Sequence, residues 1–356
     1  MTKQKKKILL AIPTVHGISE LVEKNLKFYN FDVINISRND KEKNKFKYPS
    51  LWDHFIVKLR KIILKDKKAK TNLQSKLLTQ ELDKIFPQNE KFDYALFFLA
   101  QFYSLRFIEH IRNKTKNGLV VNYQWDGMDR FKDIYNYINL FDRFFVFDPS
   151  DLPKNDRLLP STSFYFDFDL TPLPSQYDFY YLGAHRDDRS ELVIQFAKFA
   201  EKMGFNINMN IVLPVRRNDV AKLYPKNVTI LQPNEVKDFK DNLLSARQSK
   251  ILLDFVISEH NGLSLRTFEA LGHNKKLITT NKEIKKYDFY HPNNIFILDN
   301  NFDEIPNFLE KPYQPVAQEI KEKYSFRNWI NYVLDIQPHQ PILLPEDNYE
   351  EDKKIS

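Results

Sequence analysis

Between Asp254 and Asn281 the chain gathers the side chains best suited to an anionic, hydroxylated ligand. They are His260, Asn261 and Gly262 in a polar turn, then Leu263, Ser264, Arg266 and Glu269, and later Thr279 and Thr280. A strand-like apolar run ends near Ile257 and a helical pattern begins near Leu263, so the turn joins a strand to a helix. The first amides of a helix have no partner within it and attract phosphate. Arg266 and Glu269 are three residues apart and share a face, while Leu265, Phe268 and Leu271 form the apolar face. A cation near a helix start and a carboxylate one turn later suit a diphosphate and a sugar or ribose diol. The plain alternative is a surface ion pair worth ~0.3–0.5 kcal/mol.

Two further residues are candidates for proton transfer. His16, followed by Gly17 in a loop, is expected to titrate near neutrality. Asp126 lies between Trp125 and Gly127, where desolvation by the indole is expected to raise its pKa and the ring is available to stack on a sugar. The structural alternatives are a loop histidine bonded to backbone and a turn aspartate preceding glycine. Asp167-Phe168-Asp169 has the spacing of a metal-binding pair, but the run Phe164-Tyr165-Phe166-Asp167-Phe168-Asp169 reads more simply as the alternating positions of a strand. With no cysteine and no His-x-x-x-His among the eight histidines, no metal site is expected.

These residues need a frame, and the pattern supplies one. Short apolar runs alternate with helical stretches: strands at 7–13, 31–37, 92–99, 119–123 and 143–147, with a helix at 18–29. After Pro149, Pro153, Pro160, Pro172 and Pro174 the alternation restarts. Strands are expected at 177–183, 207–213, 228–231, 251–257, 276–280 and 295–298, with helices at 189–203 and 235–247, another from 263, and a closing helix at 320–336. Glycine is scarce, seven in 356 residues. Gly17, Gly183 and Gly262 each fall between a strand and a helix, whereas Gly118 and Gly204 read as helix stops. The expected class is α/β, two Rossmann-like domains. The boundaries are 1–170, 171–315 and 316–356, the last being the closing helix and an acidic tail from Pro345.

An insertion at 38–90 interrupts the first domain. Leu51, Trp52, Phe55, Ile56, Leu59, Ile62 and Ile63 recur at helical spacing among Lys58, Arg60, Lys61, Lys65, Lys67, Lys68 and Lys70. Two readings follow: an amphipathic helix packed on its own domain, or one lying on an anionic membrane surface. Lys plus Arg exceed Asp plus Glu by 54 to 47, a net +7, which suits acidic partners. Composition excludes a disordered or collagenous chain. The apolar run 8–13 is too short for a signal-peptide core, and the longest greasy stretch, 94–100, has the length of a buried strand. A cytoplasmic protein is expected, at the inner face of the cytoplasmic membrane if the insertion binds lipid. Neither a Gly-x-Gly-x-x-Gly fingerprint nor a Walker loop occurs, which disfavours dehydrogenases and nucleotide triphosphatases.

The stretch Asn261-Gly-Leu-Ser-Leu-Arg-Thr-Phe-Glu269-Ala-Leu, followed by Lys275-Lys-Leu-Ile-Thr-Thr-Asn281, resembles the donor-binding motif of GT-B glycosyltransferases. The closer likeness is to the CgeB-like branch and to bacterial capsule and lipopolysaccharide transferases. It is specific over 250–294 and weaker over 177–189, where Gly183 and Arg189 match the first loop of the donor domain. The resemblance implies two domains facing a central cleft, with the nucleotide-sugar donor in the second and a glycan or lipid-linked acceptor in the first. Glu269 would bind the donor ribose, amides around Gly262 and Leu263 would meet the sugar or diphosphate, Arg266 would neutralise phosphate, and Thr279 and Thr280 would line the cleft. Many retaining members place a second glutamate eight positions before the first; Asn261 stands there. The implied activity is metal-independent glycosyl transfer in surface polysaccharide assembly, with no cofactor and no nucleic acid partner; the residues themselves offer Asp126, ahead of His16, as its base. The rival readings are a nucleotide-sugar epimerase of the same fold and a non-enzymatic binder of anionic surfaces or nucleic acid.

Overall fold

The computed structural model describes residues 5–13, 16–37, 46, 48–87, 90–116, 118–213, 218–256, 261–299 and 301–345. His260, the end of the strand expected at 251–257 and the acidic tail beyond Pro345 lie outside the described residues.

The chain forms two units, one of residues 1–146 and 155–159, the other of 147–154 and 160–356. In the first, β1 (Lys6–Ala11), α1 (Ile18–Phe28) and β2 (Phe31–Asn35) precede two insertion helices, α2 (Leu51–Ile63) and α3 (Ala69–Ile85). Then follow β3 (Tyr94–Phe98), α4 (Leu105–Asn113), β4 (Val120–Gln124), β5 (Arg143–Val146) and a short edge strand, β6 (Leu158–Pro160). The sheet order is β2-β1-β3-β4-β5-β6, and the first four of its pairings are parallel. β1, β3 and β4 are buried almost throughout, as strands covered on both faces must be.

The second unit repeats the scheme. It runs β7 (Tyr177–Ala184), α5 (Asp187–Lys202), β8 (Ile207–Val212), α6 (Asn218–Ala221), β9 (Val228–Leu231), α7 (Phe239–Arg247) and β10 (Ser249–Asp254). There follow α8 (Leu265–Gly272), β11 (Lys276–Thr279), β12 (Ile295–Ile297), α9 (Ile305–Glu310), α10 (Gln318–Lys323) and α11 (Phe326–Val333). All five pairings in the order β12-β11-β10-β7-β8-β9 are parallel. Alternation along β7 sends Phe179 and Tyr181 to the core cluster containing Val193, Phe196 and Ala197 of α5. Tyr180 joins Phe268 and Leu271 of α8 in the opposite cluster. Each unit is therefore a doubly wound, Rossmann-like α/β layer, the class expected from sequence.

Four details differ from expectation. The units divide at 146 and near 160, not at 170, because the segment after Pro160 is bound to the second unit. Trp329 donates to the Ser161 hydroxyl (3.1 Å), Tyr332 to the Pro160 carbonyl (3.0 Å), and the Phe164 ring lies 4.5 Å from that of Trp329. The run 164–169 is not a strand but makes a single bridge, Tyr165 to Ser325. That bridge splits the closing helix: Tyr165 N–H donates to the Tyr324 carbonyl, Phe326 N–H donates to that of Tyr165, and Ser325 caps the new helix through Asn328 N–H. Gly118 does not stop α4, which ends at Asn113; a Cβ there would lie 1.6 Å from the Asp93 carbonyl oxygen.

The C-terminal end of α8 carries a histidine whose protonation opposes folding. His273 is half-buried, and burial first, then Arg247, Lys275 and Lys321, lower its pKa from 6.5 to about 4. The stability it contributes is present above 6.5 and is lost as pH falls towards about 4, because the unfolded chain takes up the proton first. We expect the thermal midpoint to fall across that window more steeply in the wild type than in His273→Gln; parallel slopes would show the histidine to be inert.

Candidate functional site

In a doubly wound sheet the crevice opens where the strand order reverses, beyond the carboxyl ends of the two strands there. In the second unit that place is between β7 and β10. The loop after β10 leads through Asn261–Ser264 into α8, and the loop after β7 leads into α5. Sequence and topology thus converge on one edge.

Arg266 and Glu269 stand at the start of α8, 2.5 Å apart. They are not a surface pair, since their side chains are 16% and 3% exposed. The Arg266 guanidinium also lies 4.7 Å from the centre of the Tyr180 ring, a cation–π contact from the neighbouring β7. Asp254, at the end of β10, is buried and accepts from the Thr279 hydroxyl (3.3 Å). Burial raises the Asp254 carboxyl above the ordinary carboxylate range, with Ser264, Arg266 and Thr279 opposing. Burial likewise raises Glu269, against the pull of Arg266. Two carboxyls and one guanidinium share this low-dielectric space, and each carboxyl discourages the other from ionising.

The start of α8 is not closed by a side-chain cap. Its N-cap, Ser264, makes no capping hydrogen bond, and its hydroxyl turns instead towards the Asp254 carboxyl. The hydroxyls of Tyr181 and Thr267 are buried without a hydrogen-bond partner. Buried polar atoms rarely stay unpartnered, and a hydroxylated ligand is one way to satisfy them.

The other expected donor residues are placed differently. Gly262 and Leu263 are buried, and Gly262 is a close-packing glycine: a Cβ there would come within 2.5 Å of the Phe147 ring and 2.8 Å of its carbonyl oxygen. Asn261 N–H donates to Asp148 (2.9 Å), and the Asn281 amide reaches the Asn261 and Gly262 carbonyls at 3.3 and 3.4 Å. Thr279 is fully buried and accepts from Asn281 N–H, while the Thr280 hydroxyl accepts from Val256 N–H. Both threonines thus fasten strand ends. Arg189 does the same across the reversal, donating to the Phe255 carbonyl beyond β10 (2.9 Å) and the Ala184 carbonyl of β7 (2.8 Å). Gly183 lies where a Cβ would meet the Tyr181 hydroxyl at 2.4 Å.

Asp169 faces Arg247 (2.9 Å) and accepts from Thr171 N–H, which together hold its carboxyl down at about 2; Asp167 accepts from Arg327 N–H. These carboxylates serve the scaffold of the second unit.

In the first unit the order reverses between β1 and β3. The loop after β1 carries His16 (φ 46°), which is exposed, and Gly17 (φ 76°), whose left-handed backbone precedes α1. Trp125 and Asp126 follow β4, one strand further on. Trp125 meets Phe98 edge to face at 5.0 Å; Asp126 pairs with Arg130 (2.9 Å) and accepts from Gly127 N–H. Sequence reading missed Arg130, as well as the amides of Gln101 and Gln124, whose oxygen and nitrogen are all buried without partners. The available signal was polar residues inside an otherwise apolar strand, Val120-Val-Asn-Tyr-Gln124.

The buried pair gives a stability test. Arg266→Ala strands the Glu269 carboxylate in the interior and is expected to cost about 3–5 kcal/mol. The double change Arg266→Met with Glu269→Leu should recover most of that loss. Urea unfolding midpoints read both; equal losses in the single and double variants would mean that the pair is effectively solvated.

No protein-family model and no curated protein matches the chain. Among solved structures it is similar to a lipopolysaccharide outer core galactosyltransferase, WaaB, in its apo form: 14% identity, TM-score 0.47, covering 91% of this chain and 98% of that one. It is also similar to an alpha-glucosyltransferase in complex with UDP-glucose and DNA containing an abasic site, at 11% identity and TM-score 0.47, covering 93% and 94%. A third similar structure is the Methanocaldococcus jannaschii UDP-GlcNAc 2-epimerase with UDP-GlcNAc and UDP, at 10% identity and TM-score 0.44, covering 89% and 98%.

Proposed function

We propose that the chain is a GT-B glycosyltransferase that moves a sugar from a nucleotide-sugar to a glycan or lipid-linked acceptor of bacterial surface polysaccharide, at the cytoplasmic face of the membrane. The observation that carries this reading is the uncapped start of α8, beside the β7/β10 reversal, with Arg266 and Glu269 one turn inside it.

Each part of such a donor has a counterpart. The free amides at Leu263–Leu265 receive the diphosphate, whose charge grows as the sugar departs. Glu269 accepts hydrogen bonds from the ribose diol, and Arg266 keeps that carboxylate oriented while offering its remaining N–H groups to phosphate. Thr267 supplies a hydroxyl to a polar ligand. This recognition uses protein groups alone and needs no metal. Acceptor deprotonation falls to the first unit's loops that carry Asp126 and His16, with Trp125 as a stacking surface.

The test is thermal stabilisation by a panel of nucleoside diphosphates and nucleotide-sugars, followed by nucleotide release with acceptor present. A ligand at 100 times its dissociation constant should stabilise by about 2.7 kcal/mol. Glu269→Gln, verified as folded by circular dichroism, should abolish that shift. Asp126→Asn or His16→Gln should reduce turnover by 10²-fold or more while leaving the shift intact, which names the base. No shift with any nucleotide would overturn the reading. An epimerised nucleotide-sugar formed without acceptor would replace transfer by epimerisation, and salt-sensitive binding of random oligonucleotides alone would favour a nucleic-acid binder.

A further inference from the structure

The insertion helix α2 is mounted the wrong way round for a helix that serves its own core. At about 100° per residue, Trp52, Phe55, Ile56, Leu59, Ile62 and Ile63 fall within an arc of about 120°. All six face outward, between 37% and 68% exposed, and Trp52 and Phe55 stack at 5.5 Å. The one buried residue of the helix, Val57, projects from nearly the opposite side. The described neighbours Phe46 and Tyr48 do not cover the apolar arc either, since Tyr48 stacks on His54, outside it. The packed-on-its-own-domain reading of this helix is therefore overturned. Contiguous exposed apolar surface of this kind marks an interaction site.

Charge says what covers it. Between residues 51 and 70 there are seven basic side chains against two acidic ones, an excess of five. Arg60 is paired with Asp66, and Lys68 with Asp133. Lys58, Lys61, Lys65 and Lys67 have no ion partner among the described residues, and Lys58 and Arg60 flank the apolar arc, one on each edge. A second copy of this chain, docked face to face, would set these lysines against their own kind, and the cores of protein interfaces are depleted of lysine. An apolar stripe bordered by cations is instead the pattern of a helix lying in the interface of an anionic bilayer. Among the described residues no helix is long and apolar enough to cross a membrane.

We propose that α2 is a membrane-docking helix. It lies parallel to an anionic lipid surface with Trp52, Phe55, Leu59 and Ile62 about 5–10 Å into the boundary between headgroups and acyl chains, while Lys58 and Arg60 on the two flanks contact lipid phosphates. This does not rest on the transferase reading, because docking is read without donor or acceptor.

The experiment is co-sedimentation of the full chain with phosphatidylcholine vesicles, with and without about one third phosphatidylglycerol. Binding is expected only to the anionic vesicles and should weaken as salt rises. Phe55→Ser with Ile62→Ser should lower the partition coefficient at least tenfold; Lys58→Gln should lower it about fivefold. These positions are exposed, so thermal midpoints should stay at the wild-type value. Absence of binding to anionic vesicles overturns the proposal. So does self-association that the serine variant abolishes in the absence of lipid binding, which would assign the face to a second copy.

Discussion

A carboxylate with almost no solvent contact needs a cation beside it, or it takes up a proton. Glu269 has Arg266, and Arg266 in turn is held by the Tyr180 ring. This chain of contacts joins α8 to β7, while Asp254 and Thr279 join the ends of β10 and β11 beside it. Four elements of the second unit are thus registered by a few polar side chains at the edge where its strand order reverses. Hydrophobic layering explains why the sheet forms. The buried charges specify how α8 must sit upon it, because a slip by one residue would carry Arg266 off the Tyr180 ring of β7 and away from Asp254 of β10.

The fold was legible because its strands are buried on both faces and read as unbroken apolar runs bounded by glycine and proline. The strand at 228–231 was located to the residue, and most others within two or three. The errors fall where tertiary contacts override local pattern. The alternation in 164–169 looks like a strand, but its aromatic rings pack on α11, and one backbone bridge is all it makes. The helical period at 320–336 is real; Tyr165 breaks it from 156 or more residues away in sequence, which no local window contains. The helix expected from Glu235 begins at Phe239 because the Glu235 carboxylate turns back to accept Gln232 N–H.

For the site, sequence found the right edge and the right pair but not the surroundings. The three-residue spacing of Arg266 and Glu269 fixes a shared helix face, but their burial depends on Tyr180, more than eighty residues earlier on another element. That Gly262 has no room for a side chain could be suspected from its place between strand and helix. The Phe147 ring that fills the space beside it could not. Likewise Arg130, in the helical turns at Met128–Leu140, reaches back to Asp126 just ahead of them, a contact that becomes visible only once those turns are known.

The chain has three tryptophans, and the fold places each in a different medium. Trp329 is sealed in the second unit with its indole N–H bonded to Ser161; Trp125 is half-buried against Phe98; Trp52 stands exposed on α2. Indole emission shifts to the blue as its surroundings become less polar. The protein therefore carries three native optical reporters, one for the integrity of its second lobe, one for the mouth of the first, and one for whatever touches its outward-turned helix.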